Sequence, residues 1–224
     1  MILTSRPVVL GVAGGSGSGK STVVREVARL LGHNLVSVLR HDAYYRDRSD
    51  LAFEEREQVN YDHPEALETD LLARHVEALL EGEAVDLPTY DFSTHLRRTE
   101  TERMEPRPVL ILDGILILAD ESLRGLMDLK VFVDTEEDVR LSRRTRRDMR
   151  DRGRSAESVL AQFEATVRPM HEQFVEPCRQ FADLLVSEGG YNRPAVDLVV
   201  RRVKALLAER SQPGRTKPTP ARSF

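Results

Sequence analysis

The stretch PVVLGVAGGSGSGKST, residues 7–22, decides the fold. Its first half is continuously apolar and reads as a buried strand at Val8–Val12. After it, Val23, Val24, Val27 and Leu30 recur at three- and four-residue steps, predicting a helix over about 20–31. Between the two, Gly14-x4-Gly19-Lys20-Ser21 meets the whole G-x-x-x-x-G-K-[ST] pattern. Glycines let the backbone curl so that successive N–H groups converge on phosphate oxygens, and the helix N-terminus adds its positive end. Gly14, Gly15, Ser16, Gly17, Ser18, Gly19, Lys20, Ser21 and Thr22 are therefore expected to hold a nucleoside triphosphate. Lys20 would reach the β- and γ-phosphates and the Ser21 hydroxyl would ligate Mg2+. A flexible Gly/Ser linker would need neither the Lys-Ser ending nor the strand and helix on either side.

Further apolar runs at Leu35–Leu39, Val109–Leu112, Val131–Val133 and Leu184–Val186 read as more buried parallel strands, being continuous rather than alternating. Helical periodicity returns over about 65–81, through Leu67, Leu71, Leu72, Val76 and Leu79. It returns again over about 156–175, through Val159, Leu160, Phe163, Val167, Met170 and Phe174. Strands alternating with helices predict an α/β fold, a P-loop NTPase-type parallel sheet flanked by helices on both faces. Residues about 84–103, AVDLPTYDFSTHLRRTETER, alternate polar and apolar around turn residues and read as an inserted β-hairpin. Residues 1–210 are read as one domain, and 211–224, SQPGRTKPTPARSF, as a disordered tail poor in large apolar residues.

The 224 residues, 40% apolar and 31% charged, suit one soluble domain with a sizeable core. With 33 basic against 37 acidic residues the net charge is −4, so no overall basic field draws nucleic acid or membrane. The single cysteine, Cys178, excludes an internal disulfide framework and reads as a small buried apolar residue. Neither a signal peptide nor a transmembrane run is legible, and a cytoplasmic location is the expectation.

A held triphosphate has several uses. The three asparagines, Asn34, Asn60 and Asn192, are followed by Leu, Tyr and Arg, so the Asn-Lys-x-Asp guanine reader of switch GTPases is missing. No Leu-Ser-Gly-Gly-Gln-like element of transport ATPases occurs either, and weight moves to phosphoryl transfer. HDAYYRD (41–47) puts Asp42 just past the second strand, where open α/β sheets bind ligands. A carboxylate there can take a proton from an incoming hydroxyl or simply orient it. Asp113, ending VLILD, reads as a metal-holding carboxylate or as a turn cap. NYDHP (60–64) offers Asp62 to a vicinal diol, or as the cap of a helix starting near Pro64. TYDFSTH (89–95) offers Tyr90, Phe92 and His95 to a heterocyclic base, or as packing within a hairpin. In RLSRRTRRDMRDRGR, residues 140–154, eight arginines face only Asp148 and Asp151. A lid over polyphosphate, at about 140–165, accounts for that ratio better than a solvated helix or a nucleic-acid surface, and Gly153 is a candidate hinge.

In order and spacing these strings resemble the uridine–cytidine kinase family of P-loop nucleoside kinases. The likeness spans about residues 7–209: GGSGSGKST, HDAYYRD, NYDHPEAL, LPTYDFSTHLR, ILDGILIL, LKVFVDTEEDVRLSRRTRRD, RGR and VRPMHEQFVEP. The resemblance implies transfer of the γ-phosphate of ATP or GTP, with Mg2+, to the 5′-hydroxyl of uridine or cytidine, giving UMP or CMP in pyrimidine salvage. By position, Asp42 resembles the family's base and Asp62 its ribose ligand, while Ser21, Asp113 and Asp42 are the expected metal oxygens. Tyr90 and His95 resemble the readers of the pyrimidine edge, and Tyr45, Tyr61 and Phe92 the pocket walls. Arg144, Arg154 and Gln162 resemble further nucleoside contacts, and Arg147 and Arg152 lid arginines near the phosphates. The resemblance also implies a homotetramer and feedback inhibition by CTP and UTP. Departures are Asp113 where many members carry Glu, Ala43 where Ser or His is frequent, and Ser187–Asn192 in place of an Arg-Gly segment near the donor purine. A phosphoribulokinase- or pantothenate-kinase-like enzyme for another small alcohol is the alternative. Those acceptors offer no pyrimidine ring to Tyr90 and His95.

Overall fold

In the computed structural model, residues 6–211 are described. Strand β1 (Val8–Ala13) lies at the centre of a five-stranded parallel sheet, between β5 (Val109–Asp113) and β6 (Leu129–Asp134). Strands β2 (Val36–Arg40) and β7 (Leu184–Ser187) form its edges. Because side chains alternate across a strand, β1 serves two cores at once. Val8, Leu10 and Val12 pack with helices α1 (Lys20–Leu31) and α8 (Arg193–Ser211), through residues such as Val23, Val27, Val199 and Val203. Val9 and Ala13 face α3 (Thr69–Glu81) and α4 (Glu121–Leu126), through Leu72, Val76, Leu79 and Leu123. The architecture is the α/β sheet with helices on both faces that the alternating pattern predicts. The hairpin is a separate two-stranded antiparallel sheet, β3 (Val85–Asp91) with β4 (Leu96–Met104), whose register shifts between Pro88 and Tyr90.

Three local expectations are corrected. Strand β7 is not buried on both faces: Leu185 is 50% exposed, since an edge strand has one side uncovered. The helix expected from about 65 begins at Thr69, because Pro64–Ala66 forms a 3-10 turn. Leu67 is still core, but in extended backbone bridged to Tyr45. The expected helix over 156–175 is instead α6 (Ala156–Gln162) followed by wider π turns at Phe163–Val167 and His171–Val175. Between the turns lies α7 (Arg168–Met170), which contains Pro169. Proline supplies no N–H to the preceding turn, and π turns are one way for the ladder to absorb that. Val159, Phe163, Val167 and Val175, spaced in multiples of four, are buried, while Leu160, in α6 ahead of the first π turn, is 45% exposed.

Cys178 is buried as expected. The segment read as a tail lies outside the described residues except for Ser211, which still belongs to α8. Among the described residues no helix is long and apolar enough to cross a membrane.

Candidate active site

The loop after β1 is shaped by what its glycines exclude. Gly17 has φ +83°, and a Cβ there would stand 2.2 Å from the carbonyl oxygen of Arg140. Gly14, at φ +138°, leaves the same kind of space against the Val133 carbonyl. Substituting Gly17→Ala therefore brings both a left-handed backbone penalty of about 1–2 kcal/mol and a steric clash. We expect its melting temperature to fall by several degrees and its donor affinity by at least about tenfold, read by thermal denaturation and nucleotide titration. Lys20 is buried, and its ammonium donates to the Gly15 carbonyl at 2.9 Å. Burial lowers its pKa to about 8, with Asp113 opposing the shift and Arg147 adding to it.

The sheet register brings three chain segments to one edge. Val12 pairs with Asp113 and Arg40 pairs with the same residue, so the carboxyl ends of β1, β2 and β5 are level. The Ser21 hydroxyl donates to Asp113 Oδ2 at 2.9 Å. Asp42, in the 3-10 turn His41–Tyr44 that follows β2, faces the same cleft. Asp42 is open to the cleft, yet desolvation by the surrounding protein raises its pKa, and the Asp113 charge raises it further. Two neighbouring carboxylates and a hydroxyl beside a phosphate cradle suit a hard divalent cation. Among the described residues no group of three or more His, Cys, Asp or Glu could hold a metal ion.

A cleft of about 1070 Å3 runs from this edge to the hairpin. Of the loop residues, Ser16, Gly17, Gly19, Lys20, Ser21 and Thr22 line it, whereas Gly14, Gly15 and Ser18 lie behind the wall. Asp62 is buried in it with its pKa raised by burial, against the pull of Arg144, Arg147 and Arg152. Asp62 is not the cap of the Pro64 turn, because His63 Nδ1 accepts the Glu65 N–H there. The rings gather at the far end. Tyr61 stacks on His95 at 5.0 Å between centroids and 15° between planes. Tyr45 meets Tyr61 at 5.2 Å and Tyr90 at 5.1 Å, and Tyr90 meets Phe92 at 5.3 Å. The Asp91 carboxylate accepts from Ser93 N and Oγ and from Thr94 N, which winds the hairpin tip tightly. His95 leaves that tip in left-handed backbone, φ 56°, unusual for a side chain of its size. Burial lowers its pKa, so the ring is neutral near pH 7.

The arginine segment is α5 (Glu137–Arg152), closed by Gly153 in left-handed backbone at φ 66°. It is docked on the phosphate loop. Thr135 Oγ1 and Arg143 both donate to the Ser18 carbonyl, at 3.0 and 3.1 Å. Arg144 donates to Ser16 Oγ at 2.8 Å and to Gln162 Oε1 at 2.9 Å, and Arg154 reaches the same Gln162 oxygen. Arg152 sits over the Phe92 ring at 4.9 Å, and Arg147 also lines the cleft. Arg140 and Arg144 are buried, which no solvated helix face would show. All the acceptor-side residues singled out in the sequence therefore meet on one cleft wall or another.

Sequence reasoning passed over Arg143 and Tyr191, which face each other at 5.9 Å at the cleft mouth, with Tyr191 79% exposed. It also passed over Arg97, which donates to the Tyr45 carbonyl at 2.6 Å and pairs with Glu68, fixing the hairpin against the Tyr45 segment. Arg143 lay in the arginine run without a role, and Tyr191 only in the divergent segment before α8. Arg97 had no local signal.

Comparison with known proteins adds three findings. The sequence model of the phosphoribulokinase/uridine kinase family matches residues 9–194. The chain is 50% identical over 206 residues to a curated uridine kinase of Halalkalibacterium halodurans, covering 92% of this chain and 98% of that one. It is 49% identical over 209 residues to the uridine kinase of Ligilactobacillus salivarius, covering 93% and 98%. Among solved structures, a D-glycerate 3-kinase from Cryptococcus neoformans superposes with a TM-score of 0.58 at 16% identity, over 82% of this chain and 87% of that one. A candidate fructose transport system kinase from Silicibacter sp. TM1040 does so with a TM-score of 0.65 at 23% identity, over 82% and 90%. The two structural likenesses speak to the fold alone.

Proposed function

This chain belongs to the phosphoribulokinase/uridine kinase family, and we propose that within it the protein is a uridine kinase that also accepts cytidine. It transfers the γ-phosphate of ATP or GTP to the nucleoside 5′-hydroxyl. The observation that carries the reading is the continuity of one cleft, from Lys20 and Ser21 past Asp42 and Asp62 to Tyr61, Tyr90 and His95. A nucleoside has its parts in that order: primary alcohol, diol, base.

In this reading Asp62 accepts hydrogen bonds from the ribose diol, and Tyr45, Tyr61 and Phe92 wall the base. Tyr90 and His95 read its edge. Asp42 takes the proton of the 5′-hydroxyl as its oxygen bonds to the γ-phosphorus and the bond to the β–γ bridging oxygen breaks, releasing ADP or GDP. Lys20, Arg147 and Arg152 offset the charge on the transferring group, and Arg144, Arg154 and Gln162 close the wall around the nucleoside. Ser21, Asp113 and Asp42 fit Mg2+, which would supply charge neutralisation and a template for the polyphosphate. Placement in cytoplasmic pyrimidine salvage, a homotetramer and inhibition by CTP and UTP belong to the same reading and rest on the family resemblance.

A neutral imidazole carries one donor and one acceptor nitrogen, so His95 can meet either the O4 of uridine or the amino group of cytidine. Losing one such match is worth about 1–3 kcal/mol. We expect kcat/KM for the two nucleosides to agree within roughly a thousandfold. The experiment is a panel of uridine, cytidine, ribulose 5-phosphate and pantothenate with Mg-ATP or Mg-GTP, following nucleoside diphosphate release. Turnover confined to either of the last two would overturn the reading.

A further inference from the structure

Asp148 is wholly buried, at 0% exposure, among positive charges. Its Oδ1 lies 2.8 Å from Arg147 and 3.6 Å from Arg152, and its Oδ2 lies 3.6 Å from Arg144 Nε. Spacing on the helix explains the convergence: Arg144 is four residues before Asp148 and Arg152 four after, on one face of α5. All three guanidinium groups line the cleft, but Asp148 does not. The Asp148 backbone carbonyl also accepts the N–H groups of Gly153 and Arg154, turning the chain so that Arg154 comes back to Gln162. One buried carboxylate thus stands behind three of the cleft's arginines without itself lining the cleft.

The physical need is plain. Like charges crowded on one wall repel, and long side chains scatter unless something fixes them. A carboxylate behind Arg147 sets its direction while leaving its outer N–H groups for a ligand. We propose that Asp148 is a positioning residue for Arg147, holding its guanidinium at 2.8 Å and aimed at the transferring phosphoryl group, while Arg144 and Arg152, at 3.6 Å, stand beyond hydrogen-bond reach of the carboxylate. The proposal rests on the kinase reading of the cleft.

The test compares wild type, Asp148→Asn, Arg147→Gln and the double variant in the full chain, with Mg-ATP and uridine. Each single change should lower kcat about a hundredfold, the scale of a small misplacement at a reacting centre, with the uridine KM moving far less. The double variant should lose little beyond either single one, because both remove the same aimed charge. A purely structural Asp148 would instead give losses that multiply, to about ten-thousandfold, and that result overturns the proposal. So does an Asp148→Asn variant within about threefold of wild-type kcat. Where melting curves show that Asp148→Asn alone does not fold, the double variant, with one fewer uncompensated guanidinium, is set against Arg147→Gln. Equal rates support the proposal and a further hundredfold drop refutes it. If wild type turns over uridine but Arg147→Gln does so at full rate, this inference fails alone; if wild type turns over none, the kinase reading fails first.

Discussion

Asp42→Asn is expected to keep donor nucleotide binding and to lose about a thousandfold in kcat, within the range that general-base contributions span. The side chain keeps its size and one acceptor oxygen, so the change removes basicity rather than shape. Asp42 is open to the cleft, yet desolvation by the surrounding protein and the Asp113 charge hold its pKa above the ordinary carboxylate range. A base works when deprotonated, so kcat/KM should rise with pH through that raised pKa, at higher pH than a free aspartate would give. The variant should lack this limb. Stability runs the other way. A carboxyl whose pKa is raised on folding weakens the folded state at pH values above its unfolded pKa, so the free variant should melt no lower than wild type near neutrality. A variant turning over within about tenfold of wild type would remove Asp42 from the proposed role.

Lys20→Ala should be comparably severe, with kcat down about a thousandfold and donor KM raised, since the side chain is aimed where phosphate charge develops. The pH dependence identifies the residue. In the free protein burial holds the Lys20 pKa at about 8, and polyphosphate binds best to the charged form. Donor affinity in wild type should therefore be greatest below about pH 8 and weaken as the pH rises through it. The variant should show no such limb. Titration of a nucleotide analogue across this range reads the effect, and the same decline in Lys20→Ala would assign it elsewhere.

How much of this was legible beforehand differs by element. The parallel sheet could be read because buried strands in this topology are continuously apolar, and five such runs stand between helical patterns. The phosphate loop could be read because its spacing is a property of local backbone. The ring cluster was legible as residue types, in Tyr90, Phe92 and His95, but its stacking on Tyr61 was not, since Tyr61 comes from a segment some thirty residues earlier. Asp62 remained open between cap and pocket until His63 was seen to do the capping. The π turns around Pro169 were missed because a 3.6-residue period presumes an unbroken ladder.

The basic segment divides the two kinds of knowledge most sharply. Counting its charges shows that eight arginines with two opposing carboxylates need a reason, but a count carries no direction. Only the packed chain shows Arg140 and Arg144 buried against the phosphate loop, and Asp148 behind the wall rather than on it. Sequence by itself determined the strand–loop–helix core and the phosphate cradle, because those depend on near-neighbour backbone geometry and on periodic burial. Tertiary structure decided which carboxylates face the cleft, which rings meet and where each guanidinium aims, because those follow from contacts between segments that the chain keeps far apart.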